Sequence, residues 1–337
     1  MPKHLIKYFL FRILILLATI FTAFTITFVI LKIMPIDIVN NIIARSMAVT
    51  GAALGDPEAV RRMYEIYYEI FGLKGTFIEQ YVSFLNRFLT MDFGISILAR
   101  PATVQEVISY RLPWTVALLV FSTILSWVIG NIIGAVVSLF EGSKLSNILQ
   151  SLAIILYPIP YYVFALVLIY IFGYIIPLFS LTPIRLPSNI FSLEFIITVF
   201  RAMTLPALSI IVIGALGWWF LSSRAMALNI ISEDFYLYGE IRGLPKLHLL
   251  KKYLLKNILL PQITALSINL GTIFGGALLT EILFNYPGLG TLLYQAVNAG
   301  DYPLVLGIVS MSIIGVAVAT CIMDLLYPLI DPRIRYR

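Results

Sequence analysis

The sequence has little charge and almost no cysteine. Only 12% of its 337 residues are Asp, Glu, Lys or Arg, while 60% are hydrophobic. Soluble domains carry about 25% charged residues, and a chain this poor in charge lacks the groups to cover a water-soluble surface. The composition therefore excludes an ordinary cytosolic enzyme and a disordered protein, and it indicates a bilayer protein. The single cysteine, Cys321, excludes an intrachain disulfide and a cysteine-based metal site.

Motifs for catalysis and phosphate binding are also missing from the sequence. It has no G-x-x-x-x-G-K-[ST] loop, and its nearest glycine-rich run, residues 271–276, contains no lysine. The two histidines, His4 and His248, lie far apart, and the sequence has neither an H-E-x-x-H motif nor paired intramembrane aspartates. We therefore predict that this chain is not an enzyme and holds no catalytic residue, metal or cofactor of its own.

Long charge-free runs are what the sequence has instead. A helix needs roughly 20 apolar residues to cross the hydrocarbon core. Six runs are long enough, one of them interrupted only by Glu281: residues 13–31, 112–140, 145–184, 202–223, 257–283 and 302–323. We therefore predict an all-α membrane protein with six transmembrane helices. The first run lacks a small-x-small cleavage site before Lys32, which favours a retained helix over a signal peptide.

The third run is too long for one straight helix. It contains Pro158, Pro160, Gly173 and Pro177, and it predicts a kinked helix that ends near Pro177 and leads into an outer loop. Kinks of this kind are common without a function, but Pro158 and Pro160 could also mark a gate on a translocation path.

The basic residues indicate the orientation of the chain. The formal net charge is +6, and cytoplasmic loops of membrane proteins carry an excess of Lys and Arg. This excess explains the charge without nucleic-acid binding. Only Arg185 and Arg201 fall in the short outer loops when the N-terminus lies inside. The predicted inner residues are Lys3, Lys7, Arg12, Lys144, Arg224, Arg242, Lys246, Lys251, Lys252, Lys256, Arg333, Arg335 and Arg337. We predict a multi-pass protein of the cell membrane with both termini cytoplasmic.

This topology divides the chain into four parts. They are a first helix (1–32), an extracytoplasmic domain (33–111), a core (112–328) with an inner loop at 224–257, and a cytoplasmic tail (329–337). In the outer part, residues 56–71 begin with Asp-Pro and predict a helix. Residues 77–88 predict a second, amphipathic helix, which the sequence Met-Asp-Phe-Gly at 91–94 ends.

The inner loop contains signals for two more helices. Residues 232–234 (Ser-Glu-Asp) predict an N-cap and first-turn acids. A short helix is predicted from Asp234 to about Arg242, and Gly-Leu-Pro at 243–245 ends it. A second helix is predicted from Lys246. Its apolar face is expected to hold Leu247, Leu250, Leu254 and Ile258, and its basic face His248, Lys252 and Lys256. Two interpretations stay open: a basic connector that only fixes topology, or a docking element for a cytosolic partner.

Several blocks of the sequence resemble one family. The strongest lies in the inner loop, where Glu233-Asp234-Phe235-Tyr236 leads to Gly243-Leu244-Pro245, and Lys256-Asn257-Ile258-Leu259-Leu260-Pro261 follows. The other blocks are Asp92-Phe93-Gly94, Arg111-Leu112-Pro113-Trp114-Thr115, Glu281, Pro287-Gly288-Leu289-Gly290, Asp301-Tyr302-Pro303 and Asp331-Pro332-Arg333. Together they resemble the permease subunits of ATP-binding-cassette importers of the dipeptide, oligopeptide and nickel class.

The resemblance implies a fold, a mechanism and partners. The fold is that of a type I importer permease, whose EAA loop inserts a coupling helix into a groove on a separate ATPase subunit that holds the ATP and Mg. The coupling residues implied here are Glu233, Asp234, Tyr238, Gly239, Glu240, Gly243, Leu260 and Pro261. Since an ATPase dimer offers two grooves and this chain one loop, a second permease subunit is implied, identical or related. The other partners that the resemblance implies are a substrate-binding protein outside the membrane and the surrounding lipid.

This sequence departs from the family pattern at residues 239–241, where Ala-x-Ala is expected and Gly-Glu-Ile stands. Glu240 places an acid where a basic or small residue is expected, so the contacts with the ATPase are expected to be adapted to this loop. Gly239 is expected to loosen the short helix by about 1 kcal/mol relative to alanine.

Two outer features have alternative interpretations. Glu281 is a carboxylate inside a predicted span, which makes it a candidate for the solute path or a gate. It could equally be a buried structural acid bonded to the backbone near Pro287. The turn formed by Pro287, Gly288 and Gly290 is expected to shape the outer loop, and contact with a binding protein is the alternative.

Other functions and substrates also stay open. A secondary transporter would show inverted repeats or several intramembrane charges, and the sequence has no convincing repeat. An intramembrane enzyme would need the catalytic groups that are missing. Peptides are the expected solutes, with oligosaccharides or nickel as alternatives.

Overall fold

The computed structural model of the protein describes residues 3–33, 43, 57–70, 75–179, 192–271 and 277–330. No β-strand occurs within these ranges. The helices of the first half are α1 (Lys3–Ile33), α2 (Pro57–Ile70), α3 (Phe77–Leu89), α4 (Val104–Ser138), α5 (Lys144–Leu156) and α6 (Tyr161–Ile169). Those of the second half are α7 (Leu193–Gly214), α8 (Phe220–Ile231), α9 (Asp234–Ile241), α10 (Lys246–His248), α11 (Leu255–Gly271), α12 (Leu278–Leu283), α13 (Leu289–Ala299) and α14 (Tyr302–Ile330). Three π-helical segments continue α6, α7 and α10: Tyr170–Ile175, Ala215–Trp219 and Leu249–Leu254.

Four helical stretches of the described chain are long and apolar enough to cross a membrane. They are Lys7–Ile30, Val104–Ser138, Leu193–Ile231 and Tyr302–Ile322, and they overlap the first, second, fourth and sixth predicted runs. The number rises to five if the bent pair after α4 forms one broken span. The fifth predicted run is covered by α11 and α12, with residues 272–276 between them outside the described residues. The protein is therefore a helical membrane protein, and six spans stay a prediction.

The third predicted run is bent far more sharply than a kinked helix. Lys144–Leu156 and Tyr161–Ile175 meet at 100°. Pro160 has extended backbone angles at the N-cap of α6, and a proline has no backbone N–H with which to continue the hydrogen bonds of the preceding helix. The sequence Pro-Ile-Pro at 158–160 therefore separates two helices. This corrects the expectation of one kinked helix, whereas the predicted end near Pro177 agrees with the last helical residue, Ile175.

The chain forms two compact units. One consists of Met1–Pro113 and Thr291–Val318, the other of Trp114–Gly290 and Ala319–Arg337. Parts of both lie outside the described residues, among them much of the predicted outer domain between α1 and α3, residues 180–191 of the outer loop, and the Asp-Pro-Arg block at 331–333.

Aromatic contacts between α1 and α3 help to organise the first unit. Phe24 and Phe28 of α1 pack against Phe84 of α3, with ring centroids 6.2 and 5.4 Å away. Helix α3 starts with a capping box at Thr76 and ends, as predicted, just before Met91, which has a positive φ of 56°. Helix α2 likewise confirms the predicted helix at 56–71 within the described residues.

Buried polar side chains join the helices of the second unit. Gln262 of α11 is fully buried. Its Nε2 donates to Oγ of Ser222 in α8 at 2.8 Å, and its backbone carbonyl oxygen accepts from the Trp127 indole of α4 at 3.0 Å. In a membrane the hydrophobic effect does not drive helices together, so hydrogen bonds of this kind help to hold them. Helix α8 leads directly into the inner loop.

Candidate functional sites

The short helix α9 begins at Asp234, as the sequence predicts, but its N-cap is not Ser232. Glu233 is the N-cap, with extended backbone and no capping hydrogen bond from its side chain, and Asp234 lies in the first turn. Ser232 instead ends α8 in helical geometry, and its hydroxyl donates to the carbonyl of Asn229 at 2.8 Å. The expectation that Ser232 starts the cap is therefore wrong, because a hydroxyl that bonds back to its own helix does not reach the next one.

The end of α9 is the one that the sequence predicts. Gly243 has φ +71°. The N–H of Gly243 donates to Glu240 O at 2.8 Å and the N–H of Leu244 to Gly239 O at 3.2 Å. This pair of bonds forms a Schellman motif, in which glycine occupies the left-handed position at no steric cost.

We expect Gly243→Val to loosen this end of α9. A Cβ atom there would meet no neighbour within 4 Å, so the expected cost of about 1–2 kcal/mol comes from the left-handed backbone. That energy corresponds to a 5- to 30-fold change in local opening, measured as the rate of tryptic cleavage after the exposed Arg242. Gly243→Asn is the control and should show a smaller change, since asparagine tolerates this conformation. Equal cleavage of Gly243→Val and wild type would contradict the prediction.

One side of α9 is anchored in the core of the second unit. The Tyr236 ring is 2% exposed and packs with Ala135 of α4, Ala227 of α8 and Leu249. Gly239 is also buried, and a Cβ on it would lie 2.8 Å from Cδ2 of Leu249. The glycine that weakens the helix by propensity therefore permits its close approach to the following π-helical turn.

The other side of α9 exposes large apolar side chains. Tyr238 is 69% and Ile241 83% exposed, and Phe235 and Leu237 are also exposed. The charged side chains of Asp234, Glu240 and Arg242 surround them and face solvent too. An apolar patch with a polar rim on a rigid element is typical of a site that binds another protein.

The apolar face predicted for the second helix is partly wrong. Leu254 and Ile258 are fully buried and Leu250 is half-buried, as expected, but Leu247 is 60% exposed and Leu249 takes its place at 1%. The reason is the π-helical segment Leu249–Leu254, whose wider turn breaks the 3.6-residue period on which the prediction rests. The predicted basic residues His248, Lys252 and Lys256 are all exposed.

The loop is tied at two points, its start and the first residue of α10, to the residues that follow α4. Arg224, which is largely buried, lies 3.5 Å from Oε1 of Glu141, and Nζ of Lys246 lies 5.0 Å from the centre of the Phe140 ring. The sequence gives no local signal for either contact, or for the anchoring role of Tyr236. Leu260 and Pro261 lie further along, inside α11, where Leu260 is half-buried and Pro261 is exposed.

The burial of Tyr236 predicts a pH effect. Burial, and after it the nearby Glu240 carboxylate, raise the pKa of the Tyr236 phenol above its ordinary value of 10.0. The folded chain therefore favours the neutral phenol, so the stability is complete below about pH 10 and falls as the pH rises further. Between pH 9 and pH 11, the melting temperature of the wild type should fall more steeply than that of Tyr236→Phe. Parallel curves for the two proteins would contradict this expectation.

Glu281 is the centre of a second buried cluster. It is fully buried. The Thr115 hydroxyl donates to its Oε1 at 2.6 Å and the Gly290 N–H to its Oε2 at 2.6 Å. The N–H of Leu289 donates in turn to Thr115 Oγ1 at 2.8 Å. A Cβ at Gly288 would collide with the Glu281 carboxyl group, so the turn that starts at Pro287 can close over the carboxylate only with glycine there.

Tyr286, directly before Pro287, also fixes the position of this turn. The Tyr286 hydroxyl donates to the carbonyl of Trp114 at 3.0 Å, and the two rings meet edge to face at 5.7 Å. Burial, with a contribution from Glu281, raises the pKa of the Tyr286 phenol, so the hydroxyl stays a donor. Glu281 therefore has the arrangement that its structural interpretation describes, bonded to the backbone of the turn after Pro287.

A second buried carboxylate, Asp301, lies in the first unit. Its Oδ2 accepts from the Ser96 hydroxyl at 2.6 Å and from the Leu98 N–H at 2.8 Å, and its Oδ1 accepts from the Leu304 N–H at 3.1 Å. The last bond caps α14. An aspartate followed by Tyr-Pro and an apolar run is a sequence signal for that cap, but nothing in the sequence indicates the two bonds to the segment after α3. Among the described residues no group of three or more His, Cys, Asp or Glu could hold a metal ion.

Comparison with known sequences gives a consistent result. A family model described as "Binding-protein-dependent transport system inner membrane component" matches residues 130–336, more than half of the chain. The oligopeptide transport system permease protein AppB of Bacillus subtilis is 29% identical over 310 residues, which cover 90% of this chain and 97% of the relative. The dipeptide transport system permease protein DppB of the same organism is 26% identical over 335 residues, covering 99% and 98%. The glutathione transport system permease protein GsiC of Escherichia coli K12 is 23% identical over 334 residues, covering 99% and 100%.

Proposed function

The chain belongs to the family of binding-protein-dependent transport system inner membrane components, as a permease of the peptide type, and from this we propose that it forms the membrane path for peptides in an ATP-binding-cassette importer. Three relatives that match it over nearly their whole length are named for oligopeptide, dipeptide and glutathione transport. None of these three is named for nickel or oligosaccharide transport.

The exposed apolar side of α9 is the observation that carries the coupling step. Tyr238 and Ile241 stand out from a helix that Tyr236 anchors in the core. We infer that this side enters a groove on an ATP-hydrolysing subunit, with Glu233, Asp234 and Glu240 at the charged rim. Gly239 and Gly243 act within the chain, by close packing and by ending the helix. Leu260 and Pro261 continue the connection into α11.

The anchoring of the loop explains how movement would be transmitted. The Arg224–Glu141 pair and the Lys246–Phe140 contact join the start and the middle of the loop to the residues that follow α4. The core around Tyr236 joins α9 to α8 and α4. A displacement of the docked α9 therefore moves these helices with it. Energy enters because ATP binds with different affinity to the two states of the complex.

The remaining parts follow from the same function. We propose six spans with both termini cytoplasmic, an extracytoplasmic part at 33–111, a second permease subunit that supplies the second docking helix, and a substrate-binding protein outside. Glu281 with Thr115 holds the turn of Pro287, Gly288 and Gly290 in shape. The break at Pro158 and Pro160 is proposed as a point of flexure along the path.

Uptake by reconstituted protein tests this function. The chain is to be purified with its ATPase, second permease and binding protein, and placed in liposomes. Uptake of labelled di- and oligopeptides should require ATP on the side of the ATPase and should stop with a non-hydrolysable analogue. Uptake by this chain alone, driven by an ion gradient without ATP, would overturn the proposal and favour a secondary transporter.

A further inference from the structure

A cavity of about 680 Å³ lies in the first unit, at the junction of the end of α3 and the loop that leads to α4. Its size falls in the range of pockets that bind small ligands, roughly 300–1,000 Å³. Five of its nine lining residues have polar or charged side chains: Asn86, Arg87, Thr90, Asp92 and Arg100. Neither the coupling of α9 nor the Glu281 cluster uses this cavity.

Charges of both signs line the cavity without neutralising each other. Arg100 is exposed, and it makes no hydrogen bond or ion pair with any residue that the structure describes. Asp92 uses Oδ1 to accept from the Gly94 N–H at 3.0 Å, and within the described part of the chain its other oxygen accepts no bond. A ligand with one anionic and one cationic group would satisfy both side chains, whereas a simple anion would satisfy only one.

The wall that carries these groups is held in a fixed shape. Backbone bonds join Ser96 to Ala102 at 3.1 Å and Val104 to Gly94 at 3.0 Å. Asp301, which is fully buried, ties the same segment to α14 through Ser96 and Leu98. Burial of a carboxylate is costly unless it is fully bonded. Such a tether is more than a connector between two helices needs, but it suits a binding surface that must keep its geometry.

We propose that this cavity is a binding site for short zwitterionic peptides, with the peptide carboxylate at Arg100 and its ammonium group at Asp92. Arg87 adds a second cation to the lining. The site rests on the proposed function, since it would hold a peptide at the outer mouth of the permease after release from the binding protein. The pairing of both signs of charge within a concave site favours a peptide over an acidic surface of a partner protein.

Equilibrium binding to the assembled complex tests the site. The complex, without binding protein and without ATP, is titrated with radiolabelled dialanine in a scintillation proximity assay. Wild type should bind it saturably, and Arg100→Gln and Asp92→Asn should each weaken binding at least ten-fold. Arg100→Lys should lose less affinity than Arg100→Gln, because it keeps the positive charge. Arg61→Gln is the matched control, since Arg61 lies on α2 and pairs with Glu65, and its affinity should equal that of wild type.

Modified peptides separate a direct contact from a general disturbance. Dialanine amide lacks the carboxylate, so it should bind wild type at least ten-fold more weakly than dialanine, but Arg100→Gln should bind both equally. N-acetyl-dialanine lacks the ammonium group, so it should bind wild type at least ten-fold more weakly than dialanine. Asp92→Asn should bind both equally. Absence of saturable binding, wild-type affinity in Arg100→Gln, or an unchanged effect of amidation in that variant would each overturn the site. Loss of binding-protein docking in Arg100→Gln with peptide affinity intact would overturn it in favour of a protein contact.

The outcome for the site can be told apart from that for the proposed function. If wild-type complex takes up peptide with ATP while Arg100→Gln binds dialanine normally, only the cavity proposal fails. If wild-type complex shows no ATP-dependent uptake at all, the permease function fails.

Discussion

Exchange of both Tyr238 and Ile241 for glutamate is expected to reduce ATP-driven uptake at least about 100-fold. Both side chains are exposed on α9, and central apolar contacts of an interface cost about 2 kcal/mol or more each when they are lost. Two such losses weaken binding by nearly three orders of magnitude, and the added carboxylates would have to give up their hydration in the groove. The ATPase should therefore no longer co-purify with the permease.

The chain offers a matched control for this experiment. Tyr294 and Val297 of α13 are also exposed, at 53% and 60%, with the same spacing of three residues. Tyr294→Glu with Val297→Glu introduces the same charge and removes the same kind of surface, but the ATPase should still co-purify. Because Tyr236 still anchors α9, the Tyr238/Ile241 variant should also melt at the wild-type temperature. Retained ATPase and uptake in that variant would show that α9 does not dock.

Glu281→Ala is expected to lower the stability of the protein by about 2–6 kcal/mol. The substitution leaves the Thr115 hydroxyl and the Gly290 N–H without their acceptors, and each buried group left unbonded costs about 1–3 kcal/mol. In a domain of 150–250 residues each kcal/mol moves the melting temperature by about 2–4 °C. A fall of about 10 °C is therefore expected in a thermal aggregation assay of the purified protein.

Two further variants separate the structural role of Glu281 from a role on the solute path. Glu281→Gln keeps one acceptor oxygen, so its melting temperature should lie between those of Glu281→Ala and wild type. Thr115→Val removes one partner, so the double variant with Glu281→Ala should be less destabilised than the sum of the single variants. If Glu281→Ala melts like wild type and yet loses uptake, the carboxylate acts on the solute or on a gate, and the structural explanation fails.

The success of the sequence predictions follows the range of the interactions involved. The ends of α3 and α9 depend on residues next to each other in the chain, such as Gly243 with its positive φ, and both were predicted. The cap of α9 and the apolar face after Lys246 failed, although they are local. The first failed because Ser232 belongs to the preceding helix, and the second because a π-helical turn changes the period.

The sequence alone determined the class of the protein, its main apolar helices and its family, because composition, hydrophobic length and ordered motifs are properties of the chain itself. Only the tertiary structure decided what the buried side chains do. Glu281 meets Thr115 across 166 positions and Asp301 meets Ser96 across 205, and Tyr236 finds its place among residues of three helices. Which distant residues share a buried site depends on how the helices pack, and a buried carboxylate must be bonded wherever that packing leaves it.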